Sequence, residues 1–188
     1  MTKKTFLMLG LVIPTFLLFI FTGASFKNET AGNFKYVGVS KCATCHKSDA
    51  AGKQLDIWQN SKHSKAWKTL ETPEADKIAK DKGFSTKASE TPACIKCHVL
   101  GKDIVADELA DSFDKTQGVQ CESCHGAGSE YKAMSIMKDK AKAIENGLNL
   151  PADREAFCKT CHNPESPSYK EFNYSTAWDQ IKHEKPKN

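Results

Sequence analysis

The 188-residue sequence lacks the apolar content that a large side-chain core requires. Hydrophobic residues make up 39% of it and its mean hydropathy is −0.52, and a small chain with few apolar side chains gains little free energy from burying them. It also lacks a strong excess of one charge, since 27 basic residues stand against 23 acidic ones and the lysines form no basic stripe. The missing stripe argues against nucleic acid as a partner.

No cysteine lies outside four short motifs, which leaves none for a separate disulfide or a single reactive thiol. Each motif reads Cys-x-x-Cys-His, the attachment signature of c-type haem. The two sulfurs add to the two vinyl groups of the porphyrin, and the histidine becomes the proximal iron ligand. The predicted attachment residues are Cys42, Cys45, Cys94, Cys97, Cys121, Cys124, Cys158 and Cys161, and the predicted proximal ligands are His46, His98, His125 and His162. The sequence therefore predicts four haem c groups, each with one iron.

Zinc is the main alternative to haem as the group bound by these motifs. Paired Cys-x-x-Cys units hold zinc as four thiolates in a closed tetrahedron, and disulfides within the motifs are a further alternative. Zinc ribbons do not require a histidine after every second cysteine, whereas all four motifs here have one. Haem is therefore the favoured interpretation.

The length of the chain limits how much protein surrounds each haem. The 162 residues after position 26 leave roughly 40 per haem, which is too little for an independent core. We therefore expect the haems to form the core and the apoprotein to be largely unfolded, as in other small proteins whose folding energy comes from a bound metal group.

The N-terminus has the pattern of a membrane-targeting segment. Lys3 and Lys4 precede an uncharged stretch over residues 5–26. This stretch predicts a secretory signal peptide, but it is also long enough for an N-terminal membrane anchor. A polar linker should cover 27–35, and a single tetrahaem domain 36–188. A cleaved signal peptide and a retained anchor would both place the tetrahaem domain in the periplasm or otherwise outside the cytoplasm.

Two histidines remain as candidates for the distal side of an iron. A predicted helix from Ser48 to about Leu70 places His63 on one apolar face with Trp67. His183 follows an expected capping box at 176–179, and its alternative is a solvated tail residue. We predict that both are distal ligands.

Methionine is a third source of ligands. A predicted helix over 130–145 places Met134 and Met137 on its buried side with Tyr131. Either one methionine ligates iron, with Met134 favoured, or both only pack on a haem. At least one iron should then lack a strong sixth ligand.

These residues resemble the tetrahaem cytochrome c-554 family over essentially the whole chain after the leader. The matching segments are Tyr36-Val-Gly, Trp58 with Lys62-His63-Ser-Lys65-Ala66, Cys97-His98-Val99 with Gly101, 118–128, and Trp178 with Ile181-Lys-His183. The resemblance implies a mainly α-helical fold with little or no β-sheet, and haems packed in stacked and near-perpendicular pairs. It implies three haems with two histidines each and a five-coordinate haem at the second motif, with residues resembling His63 and His183 as distal ligands. The family's third distal histidine is missing, and Tyr131, Met134 and Met137 occupy that region.

The predicted function is electron transfer between redox partner proteins in a respiratory chain. The resemblance adds a link to the oxidation of reduced nitrogen compounds. The first alternative is a small reductase or oxidase that binds nitric oxide, nitrite or hydroxylamine at the open iron on His98. The second is a haem-based gas or redox sensor, which would need an output domain from another protein.

Overall fold

The described part of the chain is α-helical. The computed structural model describes residues 33–183, so the predicted leader (1–26) and most of the predicted linker lie outside the described residues. The helices are α1 Val39–Ala43, α2 Gln54–Asn60, α3 Ala66–Leu70, α4 Pro73–Asp81, α5 Pro92–Val99, α6 Cys121–His125, α7 Met134–Met137, α8 Lys140–Glu145, α9 Arg154–Cys158 and α10 Tyr174–Ile181. Between residues 33 and 183 the extended pairing is limited to an isolated parallel bridge, Tyr36 to Leu109. The expectation of a mainly α fold with little or no β-sheet is confirmed.

The helices are short because polar side chains begin them and local turns end them. Thr72 caps α4 by accepting a hydrogen bond from the Ala75 N–H at 3.2 Å, and Pro73 follows at the first helical position. Asn173 caps α10 by accepting from the Thr176 N–H at 3.0 Å. The capping box expected at 176–179 is therefore wrong, because the N-cap is Asn173, three residues before Thr176.

The long helix expected from Ser48 to Leu70 is divided in two. Ser61, with ψ of 165°, separates α2 from a 3₁₀ turn over His63–Lys65 that leads into α3. Its hydroxyl donates to the Trp58 carbonyl at 2.7 Å and accepts from the His63 N–H at 3.2 Å. This side chain takes the place of helical backbone bonds, as serine often does.

The helix expected over 130–145 is also divided. It becomes α7 and α8, and α8 restarts at the Asp139 cap, whose carboxylate accepts from the Ala141 and Lys142 N–H groups.

The apolar core is small. It is formed mainly where α3 packs against α4 and α5, and it comprises Trp67, Leu70, Ala79, Ala88, Val99 and Leu100. Glu122, Val99 and Thr91 are the largest fully buried side chains in the described region, so two of the three are polar. Among residues 33–183, no helix is both long enough and apolar enough to cross a membrane.

Candidate functional site

Each Cys-x-x-Cys-His motif forms about one turn of helix. The second and third motifs lie within α5 and α6, while α1 and α9 hold only the first part of the other two. In those two motifs the His46 and His162 N–H groups donate to the carbonyls of Cys42 and Cys158 at 3.1 and 3.0 Å, so the turn continues to the histidine. One helical turn brings residues three and four apart onto the same side. The first cysteine and the histidine of each motif can therefore face one ligand.

The four motifs are neighbours in space. The Cys121 thiol, followed by burial, raises the pKa of Cys42, and the same thiol–thiol hydrogen bond lowers the pKa of Cys121. Burial and the Cys161 thiol raise the pKa of Cys97 to about 11. A Cβ built on Gly101 would lie 3.8 Å from the Cys161 sulfur, so the segment after the second motif borders the fourth.

The third and fourth motifs are also adjacent. Burial, followed by the Cys158 and Cys161 thiols, raises the pKa of Cys124 to about 11. The order of adjacency is therefore first, third, fourth and second motif. All eight cysteines are free thiols, and within residues 33–183 no three His, Cys, Asp or Glu side chains are grouped to hold a metal ion as a zinc site would.

A buried carboxylate inside the third motif organises this cluster. Glu122 lies between Cys121 and Cys124 and is only 1% exposed. Its Oε1 accepts from the N–H groups of Val37 and Gly128 at 2.9 and 2.7 Å, and its Oε2 accepts from Val37 and Gly38 at 3.0 and 2.7 Å. Burial raises its pKa, while these three N–H donors oppose the rise. The carboxylate thereby attaches the chain before the first motif to the third motif.

Two neighbours of Glu122 extend these links to other motifs. Gln120, 2% exposed, accepts at Oε1 from the Val39 N–H at 2.7 Å and so binds the start of α1. The Ser123 hydroxyl donates to the Val99 carbonyl at 2.6 Å and so binds the end of α5. We call Gln120, Glu122 and Ser123 the third-motif hub. The hub fixes the first and second motifs relative to the third.

The same segment positions His63 through its backbone. The Val119 N–H donates to the His63 carbonyl at 3.0 Å, and the Trp58 Nε1–H donates to the Val119 carbonyl at 2.7 Å. Gly118, with φ of +75°, approaches so closely that a Cβ there would lie 2.5 Å from the His63 carbonyl oxygen. Only glycine has both the conformation and the space for this contact.

His63 faces the histidine of the fourth motif. The ring centres of His63 and His162 are 6.1 Å apart, with 44° between the ring planes. Burial, and then the nearby His162, lowers the pKa of His63. On its other side His162 stacks on Phe172, with ring centres 4.8 Å apart and 14° between planes. The aromatic segment after the fourth motif therefore holds the His162 ring in place.

His183 faces the histidine of the third motif. Their ring centres are 5.8 Å apart, with 49° between planes. Burial, and then His183, lowers the pKa of His125, so the His125 ring is favoured in the neutral form that binds metal.

The spacing of the two pairs fits an iron between the rings. A metal–imidazole nitrogen bond is about 2 Å, so two imidazoles on opposite sides of one metal have ring centres about 6 Å apart. Both observed separations match this value, and both pairs combine a motif histidine with one of the two spare histidines. The donor set therefore fits haem iron with two axial histidines. Sequence reasoning did not predict which spare histidine faces which motif.

His46 and His98 are left outside the two pairs, which contain the other four of the six histidines. The Nδ1–H of His98 donates to the Ala66 carbonyl at 2.7 Å. A hydrogen bond of this kind orients a metal-binding imidazole and leaves Nε2 for the metal. The α3 backbone thus orients the His98 ring, and the role of His98 as a proximal ligand stays a prediction.

The methionines are placed differently from expectation. Met134 is 61% exposed and Met137 is half-buried, so the expectation that both face the buried side is wrong for Met134. The division of the segment into α7 and α8 turns Met134 outward. Tyr131 is the buried residue of this region, at 4% exposure, and its hydroxyl donates to the Gly126 carbonyl at 2.9 Å. Ligation of iron by Met134 stays a prediction.

The comparison with known proteins agrees with the motif geometry. The family model described as "Cytochrome c554 and c-prime" matches residues 41–126, which include the first three motifs. The match covers less than half of the chain, and over these residues the chain is similar to the cytochrome c-554 family. The resemblance seen in the sequence is thereby confirmed, and the protein is a c-type cytochrome, a class defined by covalently attached haem.

One curated relative of the chain is cytochrome c-554 of Nitrosomonas europaea, with 32% identity over 106 residues. The match covers 54% of this chain and only 43% of that protein. No solved structure matches the chain.

Proposed function

We propose that the chain carries four haem c groups, one at each motif, and transfers electrons between redox partner proteins outside the cytoplasm. The observation that carries this proposal is the pair of facing histidines repeated at two motifs with an iron-sized spacing. A haem bound on both sides by histidine exchanges electrons but has no free site for substrate. The proposed domain spans 36–188, behind a leader at 5–26 that is either cleaved or retained as an anchor.

The contacts between motifs support electron transfer along all four proposed haems. Since the motif cysteines are adjacent in the order first, third, fourth and second, haems attached to them would form one continuous series. His63 with His162, and His125 with His183, would close the two irons in the middle of this series. Residues of the protein thus supply attachment, orientation and exclusion of small ligands, while the haem supplies the one-electron chemistry.

A second function is favoured by the two histidines outside the pairs. The iron on His98 would have a well-oriented proximal ligand, through the Ala66 carbonyl, and no histidine opposite it. Such an iron can bind a small nitrogen compound such as nitric oxide, nitrite or hydroxylamine. The alternative function is therefore an oxidoreductase acting at the His98 haem, and the relative's name does not distinguish it from a carrier. A nitrogen-linked respiratory chain is part of this proposal in either case.

The deciding experiment combines a haem count with electron paramagnetic resonance of the oxidised holoprotein at low temperature. We expect four haems by mass, at least two of them low-spin with two-histidine coordination, and at least one high-spin. Fewer than four haems would contradict the proposal. Four low-spin haems would exclude the oxidoreductase and leave the carrier.

Two further measurements separate the functions. A carrier should be reduced and reoxidised by redox proteins without turnover of small molecules, whereas an oxidoreductase should consume nitric oxide or hydroxylamine. The variant Met134→Leu tests the methionine prediction: loss of one low-spin signal would support ligation by Met134, and an unchanged spectrum would contradict it.

A further inference from the structure

Glu122 is a charged group that the proposed function does not use. It lies at the contact between the first and third motifs, is almost fully buried, and forms no ion pair with any other residue in the range 33–183. Buried carboxylates are rare unless they are paired or strongly hydrogen-bonded. At Glu122, three backbone N–H groups provide this strong hydrogen bonding.

The hydrogen-bond pattern favours the ionised form. Both Glu122 oxygens accept from N–H donors, Oε1 from Val37 and Gly128 and Oε2 from Val37 and Gly38, at 2.7 to 3.0 Å. A protonated carboxyl would have to point its O–H toward one of these N–H groups, whereas a carboxylate accepts from all of them. The geometry therefore stabilises a fixed negative charge.

The negative charge acts on groups of both motifs. It contributes to the raised pKa of Cys42, after the Cys121 thiol and burial, and to that of the buried Tyr131, after burial. It also opposes the lowering of the Cys121 pKa. Its field thus reaches the attachment cysteines of the first and third motifs together.

We propose that the Glu122 carboxylate is a redox-tuning charge, which lowers the reduction potentials of the haems attached at Cys42–Cys45 and at Cys121–Cys124. Each haem gains one electron from a redox partner when ferric iron becomes ferrous, so its net charge falls by one. A nearby fixed negative charge disfavours that step. A unit charge within about 10 Å of a redox centre, at an effective dielectric constant near 20, changes the equilibrium constant about tenfold. This inference rests on the proposed haem attachment at those two motifs.

The test is the set of haem midpoint potentials in Glu122→Gln, assigned to individual haems by paramagnetic NMR. We expect the reduction equilibrium constants of the first- and third-motif haems to rise about tenfold, which is about 59 mV for a one-electron couple. The second- and fourth-motif haems should change less. Glu122→Asp, which keeps the charge, should have potentials close to those of the unmodified protein.

Gln120→Met is the matched control, because it removes a buried hub hydrogen bond without changing the charge. Unchanged potentials in Glu122→Gln, or an equal change in Gln120→Met, would overturn the proposal. A haem count on each variant distinguishes this failure from the absence of haem, which would contradict the proposed function instead. If Glu122→Gln yields no holoprotein, infrared spectra of the unmodified protein with labelled glutamate decide: a protonated glutamate at neutral pH overturns the proposal, and its absence supports it.

Discussion

The variant Gly118→Ala tests whether the backbone contact at His63 determines the position of that ligand. Gly118 has φ of 75° and ψ of −146°, a conformation that costs other residues about 1–3 kcal/mol. A Cβ there would also lie 2.5 Å from the His63 carbonyl oxygen and 3.1 Å from the Ala66 nitrogen. Both are backbone atoms that cannot rotate away, and such overpacking costs about 1–3 kcal/mol more.

Gly83→Ala is the matched control for conformation without crowding. Gly83 has φ of +87° and nothing within 4 Å of a built Cβ. The substitution Gly83→Ala should therefore lower the free energy of unfolding by about 1 kcal/mol. We therefore expect Gly118→Ala to be less stable than Gly83→Ala by about 2 kcal/mol. For a domain of this size that difference lowers the thermal midpoint by about 4–8 °C.

The assay is thermal unfolding of both holoproteins, followed by electron paramagnetic resonance of the folded forms. Gly118→Ala should also convert part of one low-spin haem to high-spin, because displacing the His63 backbone moves its ring from the site opposite His162. Equal midpoints for the two variants, with the spin states unchanged, would refute the argument that this contact positions His63.

Three other predictions concern ligation, packing and cofactor dependence. His63→Ala and His183→Ala should each convert one low-spin haem to high-spin, and the double variant should convert two; a double variant with only one converted haem would contradict the two-pair arrangement. Trp58→Phe removes the donor to the Val119 carbonyl and should cost about 1 kcal/mol, visible as a thermal midpoint about 2–4 °C lower. Trp178→Phe should change the midpoint less, because the Trp178 indole donates no hydrogen bond to any residue between 33 and 183. The chain produced without haem attachment should show little helical circular dichroism, and a cooperative thermal transition in that apoprotein would show that the side-chain core is sufficient for folding.

The sequence alone predicted the elements whose signals are local. The four motifs and the two spare histidines could be identified, and α4 begins at Pro73, a residue that is common at helix starts. The division of the 48–70 segment could not be predicted, because apolar periodicity continues through Ser61 while its hydroxyl replaces the backbone bonds. The pairing of His63 with His162 depends on tertiary contacts through Gly118 and Val119, which no spacing rule records.

Glu122 was missed for a different reason. A glutamate between the two cysteines of a motif is expected to be exposed to solvent, since carboxylates are mostly exposed. The available signal was the concentration of glycine around it: Gly38 and Gly128 both donate backbone N–H groups to the carboxylate, and a Cβ on Gly128 would lie 3.0 Å from its Oε1. Glycines that allow a close backbone approach can therefore indicate a buried anion between them.

The position of the third-motif hub in the chain sets the order in which the protein can mature. Gln120 and Glu122 bind Val37, Gly38 and Val39, yet they follow those residues by more than eighty positions. As the chain emerges from its N-terminus, the first two motifs are exposed before the residues that fix them exist. Haem would therefore be attached at the first two motifs before they have their final tertiary contacts. Hydrogen bonds to the third-motif hub would then fix these two motifs in place.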